Sequence, residues 1–286
     1  MNDSHTGSGL KLPKGVVLLD SLGDLQPSNT YPILICGSHC GGNRDLARHV
    51  RNCHVKAVFL NNAGVGKNQA GIRGLANYEA EHVLACAVDN HSAEIGIACD
   101  TYVSGIISHM TRQAVSIGTQ TGDSVKDAIA RIVSHRSLTQ QHADPTPLDE
   151  ENKSNKGSLK RQTRTQIDGA CITVADSITF LDESNAGDLV VCGSHGGLSA
   201  GHYAKRYGVE AVFFNDAGIG KNDAGIKSLK FLNDAGILAC TVDCMSAEIF
   251  NGQDVLDNGI VSACNPLARN RNITEQMTVK AALKRV

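Results

Sequence analysis

The chain has 286 residues, 41% of them hydrophobic and 20% charged, with a formal net charge of −2. It is long enough for one large domain or two of ordinary size with a substantial core, and its balanced charge excludes a general nucleic-acid binder. No apolar run reaches the roughly 18–20 residues that span a bilayer, and residues 1–9 show no basic cap followed by an apolar stretch. The expectation is a cytoplasmic protein with no membrane association.

In chain order, residues 1–14 are expected to be disordered and residues 15–136 to form a first α/β unit. Residues 15–20 and 33–36 are short apolar runs with β-branched content, 44–51 reads as a helix and 57–60 as a strand. Residues 68–81 read as a helix after a Gly-rich turn, and 83–88 as another buried strand. Residues 105–117 and 123–133 carry apolar side chains at helical spacing. Residues 137–170 are polar and charged, which predicts a flexible linker. Residues 171–286 then repeat the order of the first unit. Continuous apolar strands joined by helices imply a mainly parallel sheet covered on both faces. The fold class expected is therefore α/β, as two tandem-duplicated three-layer domains related by a pseudo-twofold axis.

The duplication is read from the residues themselves. AVFLNNAGVGKNQAGI at 57–72 matches AVFFNDAGIGKNDAGI at 211–226 in 12 of 16 positions, and LACAVDNHSAEI at 84–95 matches LACTVDCMSAEI at 238–249 in 9 of 12. Cys36-Gly37-Ser38-His39 recurs as Cys192-Gly193-Ser194-His195. The offset falls from 156 to 154, so the first copy carries two extra residues between His39 and Asn61, and Cys40 is read as one of them. Three positions break the match in kind: Asn62 against Asp216, His91 against Met245, and His109 against Ala263.

The repeated polar residues follow the strand-like runs, and in an open parallel sheet ligands bind at the carboxyl ends of strands. The first loop offers Ser38 and His39, with Ser194 and His195, as hydroxyl and acid–base groups. The second offers Asn61, Asn62, Gly64, Gly66 and Lys67, with Asn215, Asp216, Gly218, Gly220 and Lys221. Its glycines expose amides and its Lys adds a positive charge, suiting a carboxylate, phosphate or oxyanion. It lacks the Gly and Ser/Thr of a P-loop, and Gly-Ser-His-Gly-Gly is not a nucleophile elbow. The third loop carries Asp89, Ser92 and Glu94, with Asp243, Ser246 and Glu248. These suit either helix capping or a Ser nucleophile activated by His or Lys.

The function expected is a hydrolase opening a C–N (amide or cyclic amide) or C–O bond of a small anionic metabolite. Ser38, His39, Asp89 and Ser92 with their copies are the catalytic candidates, and the Asn–Lys loop with Glu94 and Glu248 binds substrate. The alternatives are a pseudo-symmetric racemase or isomerase, with Cys36 and Cys192 as candidates, and a non-catalytic ligand binder or sensor. No cofactor or metal is expected: His39, Cys40, Cys53 and His54 are soft ligands, but Cys40, Cys53 and His54 have no counterparts in the second unit. The partners expected are a small-molecule substrate and a second copy in a homodimer.

Overall fold

Strands β1 (Val16–Leu19), β2 (Ile33–His39), β3 (Ala57–Asn61), β4 (Leu84–Val88) and β5 (Ile107–Met110) form one sheet in that order. Strands β6 (Gln162–Ile167), β7 (Ala170–Ala175), β8 (Leu189–His195), β9 (Ala211–Asn215), β10 (Leu238–Val242) and β11 (Val261–Cys264) form a second, from β11 to β6. The computed structural model describes residues 10–27, 32–135 and 162–286. The α/β class holds: both sheets are mixed and mostly parallel, β1 to β4 and β7 to β10 running one way.

Alternation along the strands sends apolar residues to both faces of each sheet. Ile33, Ile35, Ala57, Phe59, Leu84 and Cys86 share one core with Tyr102 of helix α3 and Ala128, Ile129 and Ile132 of helix α5. Their chain neighbours Leu34, Cys36, Val58, Leu60, Ala85 and Ala87 share another with Ala47 and Val50 of helix α1 and Tyr78 of helix α2. Numbering follows the chain: α1 is Arg44–Asn52, α2 Gly74–Ala80, α3 Ala98–Ser104, α4 Arg112–Ser116 and α5 Val125–Ser134. The second sheet divides its apolar residues the same way between two cores. This two-sided burial explains why these strands read as unbroken apolar runs.

Four expectations change. Residues 105–117 are not a helix: Gly105 ends α3, β5 runs antiparallel to β4, and α4 follows. Ile107 is 1% exposed while His109 is exposed, because the register with β4 shifts between Ala87 and Val88 and breaks the strand's alternation. The helix expected from 68 begins only at Gly74, because Asn68 and Gln69 adopt left-handed backbone (φ 52° and 57°). Residues 162–167, expected in the linker, form β6 through six antiparallel pairs with β7; the remainder of that linker up to 161 and residues 1–9 lie outside the described residues. Finally, Cys40 has a counterpart after all. Its N–H donates to Asn61 O (2.7 Å) as Gly196 N–H does to Asn215 O (2.8 Å), so the extra residues fall within 41–43.

The two halves pack through their Gly-rich loops. Lys67 N–H donates to Cys244 O and Lys221 N–H to Asn90 O, both at 2.8 Å. Gly64 and Gly218 meet so closely that a Cβ on either would lie 3.0 Å from the other's Cα. Ala63, Ala70, Ile95, Ala217, Ala224 and Ile249 form a small apolar cluster joining the halves.

Candidate functional site

The site is built where β2 and β8 end in the same residues, Cys-Gly-Ser-His. Register breaks between Ile35 and His39, and again between Val191 and His195. Such irregularities re-aim a strand's last side chains, and here the two imidazoles face each other across the halves. Their ring centroids are 6.3 Å apart and their planes nearly perpendicular, at 82°. His39 is 8% exposed and His195 6%. Burial lowers His39 to about 4 against a smaller opposing contribution from the Gly41 backbone; burial, with a smaller contribution from His39, lowers His195 to about 3. Both rings are therefore neutral at pH 7.

The two rings differ in one respect. His195 Nδ1 accepts the Gly197 N–H at 3.1 Å. His39 Nδ1 is buried and makes no hydrogen bond among the described residues. It lies 3.1 Å from where a Cβ on Gly41 would stand, and Ile249 Cγ2 lies 3.0 Å from that same point.

Around the rings is a cavity of about 40 Å³ whose lining includes Ser21, Ser38, Ser177, Thr179, Ser194 and Tyr203. Water, not a metabolite, fits such a space. Ser38 Oγ accepts Leu22 N–H and Ser194 Oγ accepts Ile178 N–H, both at 2.9 Å. These hydroxyls hold the turns after β1 and β7. Tyr203 Oη donates to Asp24 at 2.9 Å and closes one side.

The Asn–Lys loops sit at the same sheet edges but are occupied by the fold. Asn61 donates to Ala93 O and accepts from Ala63 N–H, and Asn215 repeats this with Ala247 and Ala217. The Gly64 amide is bound by Asn62 Oδ1 and the Gly66 amide by Gly64 O. Asp216 binds the Gly218 amide, and Gly220 N–H donates to Gly218 O. Lys67 Nζ donates to both oxygens of Asp254 (2.8 and 2.9 Å) and Lys221 Nζ to both oxygens of Asp100 at the same distances. The expected anion contacts are thus replaced by ion pairs between the halves. Burial pushes Asp254 and Asp100 up, yet the Lys contacts together with the Glu248 and Glu94 amides and the neighbouring Asn258 and Ser104 side chains hold both carboxyls low.

The third loop is also engaged in the fold. Ser92 Oγ donates to Asp89 O (2.7 Å) and accepts Ile106 N–H (2.9 Å); Ser246 does the same with Asp243 and Ile260. Asp89 and Asp243 accept the amides of His91 and Met245. Glu94 meets Asn222 and Lys227, and Glu248 meets Asn68 and Arg73, so both acids bridge the halves. Arg73 pulls Glu248 down to about 2. Cys36 and Cys192 are fully buried, and burial pushes both thiols up to about 12, far from thiolate character.

One group among the described residues has metal-ligand spacing: Asp216, Asp243 and Cys244, with ligand atoms within 4.8 Å of one another. Asp216 Oδ1 already accepts the Gly218 and Cys244 amides, and burial raises both its carboxyl and the Cys244 thiol. That chemistry suits a capped turn better than an ion. In the first half Asn62 and Asn90 occupy the matching places.

The larger opening is a cleft of about 390 Å³ between the halves. Asn43, Arg44, Arg73 and Asn77 line it from one side, Phe250 and Asn251 from the other. Phe250 contacts His39 at 5.8 Å between ring centroids. Gly42 and Asn43, from the segment with the extra residues, form part of its wall. Sequence reasoning singled out none of these residues. The signal was present: with an offset of 154, Phe250 falls on Gly96, a bulky residue on a glycine.

No helix of the described residues is long and apolar enough to cross a membrane. No protein-family model, curated protein or solved structure matches the chain.

Proposed function

We propose that the chain is an enzyme that hydrolyses a C–N or C–O bond of a small anionic metabolite, at a single composite site where His39 adjoins the cleft between the halves. One observation carries this: of two buried imidazoles in matching positions, His39 alone leaves Nδ1 unbonded among the described residues, and its ring packs on the wall of the open cleft. A neutral ring with a free nitrogen accepts the proton of an attacking water and returns it to the leaving nitrogen or oxygen. An anionic substrate arriving beside the ring favours imidazolium and offsets the burial that holds its pKa low, so proton uptake is tied to occupancy. Ser38, Ser194, Ser92 and Ser246 position backbone in this reading, and water is the nucleophile.

The exchange of equivalent contacts between halves supports a pseudo-twofold tandem duplication of a three-layer unit, since Lys67–Asp254 mirrors Lys221–Asp100. Ten free thiols, among them Cys240 and Cys264 with Sγ atoms 3.5 Å apart, support a reducing cytoplasmic setting. A two-base isomerase is the second reading, favoured by the facing imidazoles; the 6.3 Å between ring centroids leaves no room for a substrate between them.

The test is a screen of amides, cyclic amides and esters of small carboxylates, with product followed by proton NMR. Hydrolysis by the native chain and a loss of about 10²- to 10⁴-fold in His39→Asn supports the reading. Full activity in His39→Asn, or ligand binding with no turnover across the screen, contradicts it.

A further inference from the structure

The cleft carries more information than its position beside His39. Its cationic groups come from separate elements. Arg44 begins α1 and gives Nε to Glu81 at 2.8 Å, while its terminal nitrogens make no hydrogen bond among the described residues. Arg73 holds Glu248 through one terminal nitrogen at 2.8 Å. Asp176 also lines the cleft, and its Oδ1 accepts the Gly252 amide at 3.0 Å. Each guanidinium already pairs with a glutamate, yet each pairing uses a single nitrogen, and planar guanidinium forks match a carboxylate.

Phe250 supplies the second half of the recognition. Its φ is +61°, a left-handed backbone that bulky residues rarely adopt. At the matching place the first half has Gly96, with φ +86°. Both amides make the same 2.7 Å bond, Phe250 to Gly193 O and Gly96 to Gly37 O. The backbone thus calls for glycine, and the second half holds an aromatic ring there instead. The ring lines the cleft and also contacts His39 on one side and Phe180, 6.1 Å away, on another.

We infer that the cleft binds a small carboxylate that carries a flat unsaturated ring, its carboxylate on Arg44 and Arg73 and its ring against the face of Phe250. This rests on the hydrolytic reading only for its meaning as substrate recognition; as a binding site it stands on the cleft. Aromatic pairs add attraction beyond the area they bury, so the flat ring is preferred over a saturated ring of the same size.

The experiment uses the full chain and three probes by titration calorimetry: benzoate, its uncharged counterpart benzamide, and cyclohexanecarboxylate. The expected result is one benzoate per chain, with benzamide at least tenfold weaker and cyclohexanecarboxylate several-fold weaker. Arg44→Gln weakens benzoate at least tenfold. Phe250→Leu, which keeps apolar bulk, and Phe250→Gly, which suits the backbone, both erase the preference for the flat ring. Circular dichroism checks that each variant is folded. No binding of benzoate at millimolar concentration, equal binding of benzamide, or unchanged affinity in folded Arg44→Gln and Phe250→Leu overturns the inference. Benzoate binding with no hydrolysis in the screen overturns only the catalytic reading. Hydrolysis that cleft substitutions leave untouched overturns only this one.

Discussion

Acid should destabilise this fold through its two facing imidazoles. A histidine titrates near 6.5 in the unfolded chain, whereas His39 and His195 titrate near 4 and 3 in place. As pH falls below 6.5 the unfolded chain takes up protons that the folded one refuses. The stabilisation is complete above about pH 6.5 and is lost progressively as pH falls toward the folded values. Between pH 7 and pH 5 the linkage comes to about 2 kcal/mol for each ring and about 4 kcal/mol for the pair. The groups nearest the rings add no compensating charge: each ring faces the other, and Phe250 and hydroxyls complete the surroundings. The assay is urea unfolding at both pH values, comparing the native chain with the double variant His39→Gln, His195→Gln. Carboxylates titrate alike in both proteins, so the difference in acid sensitivity isolates the imidazoles. Equal losses of stability in the two proteins would refute buried, neutral rings.

Three further outcomes separate structural from functional residues. Lys67→Met should lower stability by about 1–2 kcal/mol, because it strands a partly buried Asp254, while benzoate affinity stays within threefold; calorimetry and unfolding read the two. Ser38→Ala should cost about 1 kcal/mol for the lost bond to Leu22 N–H and leave turnover within about threefold. A hundredfold loss of turnover at unchanged stability would restore Ser38 as the nucleophile. Gly71→Ala should cost about 3 kcal/mol or more or fail to fold, since its Cβ would stand 2.1 Å from Asn62 O, a backbone atom with little freedom to move. A melting temperature within a few degrees of native would contradict the loop geometry.

Much of the α/β class was legible, because strands buried on both faces leave unbroken apolar runs such as Ala57–Leu60 and Leu84–Val88. The antiparallel edges were not. Ile107–Met110 is short and half-buried, and its two apolar residues, three apart, fit helical spacing and not alternation. Nor was the start of α2 legible. Asn68 and Gln69 are compatible with a helix, but Gly66–Lys67 is pinned to Cys244 of the other half, and that contact fixes left-handed backbone through the turn. Local pattern loses there to packing between the halves.

At the site, the repeated His was legible as a residue of consequence, though only the structure shows that His195 Nδ1 accepts the Gly197 N–H while His39 Nδ1 has no hydrogen bond among the described residues. The ion pairs of the repeated Lys were not legible, for a physical reason. Its partners, Asp254 and Asp100, come from the opposite half, at sequence separations of 187 and 121. A residue repeated in both halves can serve the junction between them as readily as a ligand. Arg44 and Phe250 lie where the matched segments differ, opposite Leu198 and Gly96, and attention to agreement between the halves passed over them.

A single site on the His39 side is tested most directly by nitrogen-15 NMR of the two histidine rings, recorded with and without benzoate at pH 7. The ring nitrogens of His39 should shift on addition of ligand, with those of His195 nearly unmoved. Equal shifts at both rings, or a shift at His195 alone, would contradict a single site beside His39.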